Sequence, residues 1–84
     1  MNFKSQADVK VFGKTLQERL LSMGEASLAN ELREWDGGFF TTSSEFLGEM
    51  KLILEKISVL KSLDDVTKKN VQGCLSAINQ AFGQ

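Results

Sequence analysis

The chain has 84 residues, of which 42% are hydrophobic and 25% are charged, and its formal net charge at pH 7 is −1. These proportions are those of an ordinary globular protein, and they exclude an intrinsically disordered chain. The balanced charge gives no sequence-wide field that would attract nucleic acid or an anionic membrane, and the length predicts a single domain over residues 1–84.

The first predicted helix runs from about Asp8 to about Met23, after a frayed start at residues 1–7. Its apolar residues recur at spacings of three and four, which is the period of a helix with one face toward a core. Gly24 follows at the position where a glycine in the left-handed conformation ends a helix. The residues of the apolar face are Val9, Phe12, Leu16, Leu20 and Met23.

The second predicted helix is short and runs from about Glu25 to about Trp35. Glu25 then lies in its first turn, where a negative charge suits the positive end of the helix dipole. Gly37 and Gly38 break the helix, because two successive glycines are costly inside one. The residues of its apolar face are Leu28, Leu32 and Trp35, with Ala29 beside them.

The third predicted helix begins at a capping box, with Thr42 as the N-cap and Glu45 reaching back to it three residues later. It ends at about Lys61. The residues of its apolar stripe are Phe46, Met50, Ile53, Leu54, Ile57 and Leu60.

The fourth predicted helix begins near Asp64 or Asp65, either of which can cap it, and it continues to Phe82. Two rows of residues form its inward face. The main row is Val71, Leu75, Ile78 and Phe82, and the second row is Val66, Cys74, Ala77 and Ala81.

These segments predict an all-α fold, a small bundle of four helices in which three are long and the second is short. The loops are short, so helices that follow each other in the chain should pack roughly antiparallel, in an up-and-down order. No apolar stretch approaches the roughly 20 residues that a membrane helix needs, and the first residues do not resemble a signal peptide. We therefore expect a cytoplasmic protein without membrane association.

The residue types argue against an enzyme, and we expect no catalytic residue, no cofactor and no metal. The chain has no histidine, the commonest general base and transition-metal ligand, and one cysteine. Cys74 lies on the inward row of the last helix, which is typical of a small buried hydrophobic residue. Glu45 and Glu49 have the spacing of a di-metal carboxylate helix, but that architecture also requires histidine ligands.

Nucleic-acid binding is the alternative function. Gly24 sits where the turn glycine of a helix-turn-helix would lie, but the predicted helix after it carries Glu25, Glu31 and Glu34. These carboxylates would repel phosphate, so the sequence argues against binding through this element.

The segment from Trp35 to Thr42 is the most unusual part of the chain, because it gathers three large aromatic residues around a double glycine. One interpretation is that these residues plug the end of the bundle, with Phe40 packing on the third helix. The other is that part of the cluster is exposed as a docking patch, since aromatic residues on loops are frequent binding anchors. The candidate partner-binding residues are Trp35, Asp36, Phe39, Phe40, Glu31 and Glu34.

The sequence thus predicts a small non-enzymatic protein-interaction or regulatory module whose partner is another protein or a second copy of itself. A homodimer would bury apolar residues that lie off the main stripes. A more specific hypothesis is an immunity- or antitoxin-type inhibitor, because acidic inhibitors pair with basic toxins through charge. The residues off the main stripes are Leu21, Leu47, Leu52 and Val59.

Overall fold

The computed structural model describes residues 3–82, and the side chains of residues 3–81. This part of the chain forms four helices and no strand, which confirms the all-α class. Three helices have 16 to 18 residues and the second has 11. The predicted inward position of the Phe82 side chain lies outside the described residues. The helices are α1 (Gln6–Ser22), α2 (Ala26–Asp36), α3 (Ser43–Ser58) and α4 (Asp65–Phe82).

Helix α1 begins two residues before the predicted start, because Ser5 and Asp8 form a capping box that was not predicted. The Asp8 N–H donates to Ser5 Oγ at 3.4 Å, and the Ser5 N–H donates to Asp8 Oδ2 at 3.2 Å. Two backbone donors that a helix start would otherwise leave free are therefore bonded.

The junction between α1 and α2 depends on Gly24, whose φ of 82° confirms the predicted left-handed conformation. The turn is closed by the N–H of Glu25, which donates to the carbonyl of Leu20 at 2.8 Å. Glu25 is the N-cap of α2 rather than part of its first turn, and its side chain makes no capping hydrogen bond.

Helix α3 begins as predicted, with Thr42 Oγ1 accepting a hydrogen bond from the Glu45 N–H at 3.1 Å. The Glu45 carboxylate, however, accepts from the Thr41 N–H and hydroxyl, at 3.4 and 3.1 Å, rather than from Thr42. The helix ends at Ser58, three residues before the predicted end. The chain then turns and buries Leu63 in the core.

Asp64 and Asp65 were both predicted as possible caps of α4, and the structure shows that Asp64 is the cap. Its carboxylate accepts from the Thr67 N–H at 3.1 Å and from the Thr67 hydroxyl at 2.7 Å. These bonds satisfy Thr67, whose side chain is buried, so Thr67 occupies an inward position that was not predicted.

The buried residues of all four helices form one core, and they include most members of the predicted stripes. Four predicted stripe residues are only partly buried and lie at its margin, namely Met23, Leu28, Leu60 and Leu75. The predicted inward position is wrong for two residues of the second row of α4, since Val66 is 67% exposed and Ala81 is also exposed. Val66 lies beside the buried face rather than on it, and Ala81 lies at the last turn of the helix.

Successive helices pack against each other, α1 on α2, α2 on α3 and α3 on α4. At one end of the molecule the Gln6 side-chain amide donates to Ser43 Oγ at 2.6 Å. This bond brings together the starts of α1 and α3, as the predicted up-and-down order requires.

Candidate docking site

Trp35 joins three helices at the end of α2. Its indole N–H donates to the carbonyl of Phe46 at 3.0 Å, and the two rings lie 4.8 Å apart between centroids. On its other side the indole contacts Gly13 of α1 so closely that a Cβ there would lie 2.7 Å from Trp35 Cζ3. Trp35 is therefore a core residue, in agreement with the interpretation of this segment as a plug.

The two phenylalanines that follow the double glycine differ in their surroundings. Phe40 is half-buried and packs edge-on against Phe46 of α3, with the ring centroids 5.6 Å apart, as predicted. Phe39 is 96% exposed. The plug interpretation thus holds for Trp35 and Phe40, and the exposure that the docking interpretation requires is found at Phe39.

A groove of about 540 Å³ runs between α2 and α3, and we call it the acidic groove. It brings together five of the six candidate partner-binding residues. The sixth, Asp36, does not line it. Asp36 is partly buried, and its Oδ1 is buried with no hydrogen-bond partner among the described residues. The lining residues are Glu31, Glu34, Trp35, Phe39, Phe40, Glu45, Glu49, Leu52, Ile53 and Lys56.

The α3 side of the acidic groove was not among the candidates. The α3 residues on the outer side of the groove stand at positions 45, 49, 52 and 56. They are separated by four, three and four residues, so they lie along one side of the helix. This regular spacing is the feature of the sequence from which the α3 wall of the groove could have been predicted. Glu45 was predicted as a capping residue, and Glu45 and Glu49 were considered together as metal ligands, but neither was predicted to lie opposite the glutamates of α2, where the structure places them.

The acidic groove carries a local negative charge that the net charge of the chain does not reveal. Four glutamates and one lysine line it, and Lys56 Nζ lies 2.7 Å from Glu31 Oε1. Glu34, Glu45 and Glu49 then remain without a cationic partner among the groove residues. All three are exposed, so their field is screened by salt within roughly 8–10 Å.

Phe39 also lines a second recess, of about 510 Å³, at the starts of α1 and α3. The ring therefore borders both recesses and projects into solvent between them. An aromatic ring in that position is accessible to a partner from two directions.

The described residues contain no group of three or more histidine, cysteine, aspartate or glutamate side chains arranged to hold a metal ion. Cys74 is fully buried, as predicted, and burial raises the pKa of its thiol to about 12. A thiol with that pKa is almost entirely protonated at neutral pH, and the thiolate is the nucleophilic form.

Three of the four apolar residues predicted to lie off the main stripes are exposed, Leu21 by 55%, Leu52 by 56% and Val59 by 77%. The fourth, Leu47, packs against the core instead.

Within residues 3–82, no helix combines the length and the hydrophobicity that crossing a bilayer requires.

No family model matches the chain, and no curated protein or solved structure matches it either.

Proposed function

We propose that this chain is a small non-enzymatic protein that binds another protein through the acidic groove, with Phe39 as the anchor. The observation that carries the proposal is the position of a 96% exposed phenylalanine beside three glutamates that have no cationic partner in the groove. Large aromatic side chains contribute much of the binding energy at interfaces, because they bury a large area and have few rotatable bonds.

The support for Phe39 as an anchor comes from its neighbours in the chain. Phe40 is packed on Phe46, and the Gly38 N–H donates to the carbonyl of Trp35 at 3.1 Å. Both residues that flank Phe39 are thus attached to the core. A ring whose backbone is already fixed loses less entropy on binding than one on a free loop.

The charge of the acidic groove favours a basic partner. Complementary charge accelerates association and disfavours wrong partners. This is the chemistry of the immunity- or antitoxin-type inhibitor that the sequence suggested, a small protein that covers a basic surface of a toxin. The same charge disfavours nucleic acid, since the carboxylates would repel phosphate. With one buried cysteine and no disulfide to maintain, the cytoplasm is the proposed compartment.

A second copy of the chain is a less suitable occupant of the acidic groove. A two-fold homodimer apposes the same surface of both subunits, so a dimer through this groove would bring two acidic surfaces together. A homodimer through Leu21 or Val59 would leave the groove free. Sedimentation equilibrium of the purified chain, with and without its partner, distinguishes these arrangements.

The test is affinity capture from the native cell with three versions of the tagged chain. The wild type should retain a partner, F39S should lose it, and V66S should retain it. Val66 is the matched control, because it is also a large exposed apolar residue, at 67%, and does not line the acidic groove. Equal retention by F39S and the wild type would contradict the proposal.

A further inference from the structure

The acidic groove also indicates which kind of protein segment fits it. We infer that its occupant is a lysine- or arginine-rich amphipathic helix of about three turns, an inference that rests on the proposed function. It follows from three features of the groove: its length, the mixture of apolar and acidic residues in its walls, and the secondary structure that surrounds it.

The length of the groove is set by the two helices that form it. The row from Glu45 to Lys56 on α3 extends over about 16 Å at 1.5 Å per residue, and α2, with 11 residues, has a similar length. A partner helix of about three turns spans the same distance. A longer helix would extend past the ends of the groove.

The walls of the groove present two kinds of surface. Phe39 and Leu52 are exposed and apolar, at 96% and 56%, whereas Glu34, Glu45 and Glu49 are exposed and acidic. An amphipathic helix places apolar side chains on one face and charged ones beside it. If the charged residues are lysine or arginine, the apolar face can contact Phe39 and Leu52 while the cations approach the carboxylates.

The surrounding secondary structure favours a helix over an extended segment. An extended peptide gains affinity by pairing its backbone with the edge of a sheet, and residues 3–82 contain no strand that could offer one. A helix bonds its own backbone internally, so it can lie on a helical surface without leaving donors and acceptors unpaired.

The test uses a fluorescein-labelled peptide of about 11 residues, which is about three helical turns, with leucine along one helical face and lysine along the other. A peptide of the same composition in scrambled order is the control. Fluorescence anisotropy measures binding, and circular dichroism measures the helix content of the peptide. We expect the ordered peptide to bind at least tenfold more tightly than the scrambled one and to gain helix on binding. Equal binding of the two peptides, or binding without a gain of helix, would overturn the inference.

Two double charge reversals locate the binding. E34K/E49K changes two glutamates of the groove, and E18K/E55K makes the same change of charge at exposed glutamates that do not line it. We expect E34K/E49K to weaken peptide binding about tenfold and E18K/E55K less than about twofold. Equal weakening by the two variants would show that only the net charge of the protein matters, and would refute the inference. E34Q/E49Q replaces E34K/E49K if the reversal unfolds the chain.

The failure of this inference is distinguishable from the failure of the proposed function. If the partner captured through Phe39 binds E34K/E49K as tightly as the wild type, the basic helix is refuted while protein binding through Phe39 stands. If F39S still captures the partner, the proposed function itself fails.

Discussion

The contact between Gly13 and Trp35 leads to a prediction about stability. Gly13 lies in the middle of α1 and is buried against the indole of Trp35. An alanine Cβ at this position would lie 2.7 Å from Trp35 Cζ3, closer than nonbonded carbon atoms tolerate. The indole cannot move away freely, because its N–H is bonded to the Phe46 carbonyl and its ring packs on the Phe46 ring. We therefore expect G13A to destabilise the protein.

The magnitude follows from two opposing terms. Alanine is favoured over glycine inside a helix by roughly 0.5–1 kcal/mol. Forcing an extra methyl group into a packed core costs about 1–3 kcal/mol. The steric term is larger, so G13A should lower the free energy of unfolding by about 1–2 kcal/mol. For a domain of 60–100 residues, each kcal/mol lowers Tm by roughly 4–8 °C.

The assay is thermal and urea unfolding of G13A and G73A, followed by circular dichroism. Gly73 is the matched control, because it also lies inside a helix, and among residues 3–82 an added Cβ would meet only Phe3 Cε2, at the ordinary contact distance of 3.8 Å. G73A should therefore raise stability, by up to about 1 kcal/mol. If G13A were as stable as the wild type, the packing of Trp35 against α1 described here would be incorrect.

Three further predictions concern single residues. Because burial raises the Cys74 pKa to about 12, a thiol reagent at pH 8 should label the protein only after denaturant unfolds it; rapid labelling of the native chain would contradict the burial. The pKa of the Asp64 carboxyl is lowered from its ordinary value of 3.8, chiefly because the carboxylate accepts a hydrogen bond from the Thr67 hydroxyl. The charged carboxylate therefore stabilises the folded state above pH 3.8, and this stabilisation is lost as the pH falls through the folded pKa. D64N should accordingly lower Tm at pH 6, and its difference from the wild type should shrink in acid; a constant difference would refute the linkage. F39S should change the free energy of unfolding by less than about 0.5 kcal/mol in urea titrations, because Phe39 is 96% exposed.

The helices could be predicted from the sequence because their signals are local. Apolar spacing and capping residues lie within a few positions of the structure that they determine. The start of α1 was misplaced because its capping box, Ser5 with Asp8, has aspartate in place of the glutamate that marked the predicted box at Thr42 and Glu45. In the structure only the Ser5–Asp8 box is reciprocal, since Glu45 bonds to Thr41 rather than to Thr42. The end of α3 has no glycine or proline to mark it, so only the turn that brings Leu63 into the core shows where the helix stops.

The docking site could be predicted only in part, because half of it depends on tertiary packing. Glu31, Glu34 and the aromatic segment are close in the chain, and their clustering was visible there. Glu49 and Leu52 join them only because α2 packs against α3. The packing of Phe40 on the third helix was predicted, and its contact with Phe46 confirms it, whereas the sequence left open whether Phe39 is buried or exposed.

The energetic roles of the residues in the acidic groove are separable. The Glu31–Lys56 ion pair crosses it, but both side chains are well exposed, at 36% and 59%, and such pairs contribute only about 0–1 kcal/mol. The walls are held instead by Trp35, through its bond to the Phe46 carbonyl and its packing on the Phe46 ring. Glu45 also accepts hydrogen bonds from Thr41 at the start of α3, whereas Glu34 and Glu49 are exposed and take no part in a helix cap, so the charges of these two glutamates can be changed with the least effect on the fold. Substitution of those glutamates should change the choice of partner without a large loss of stability, whereas substitution at Trp35 should impair both.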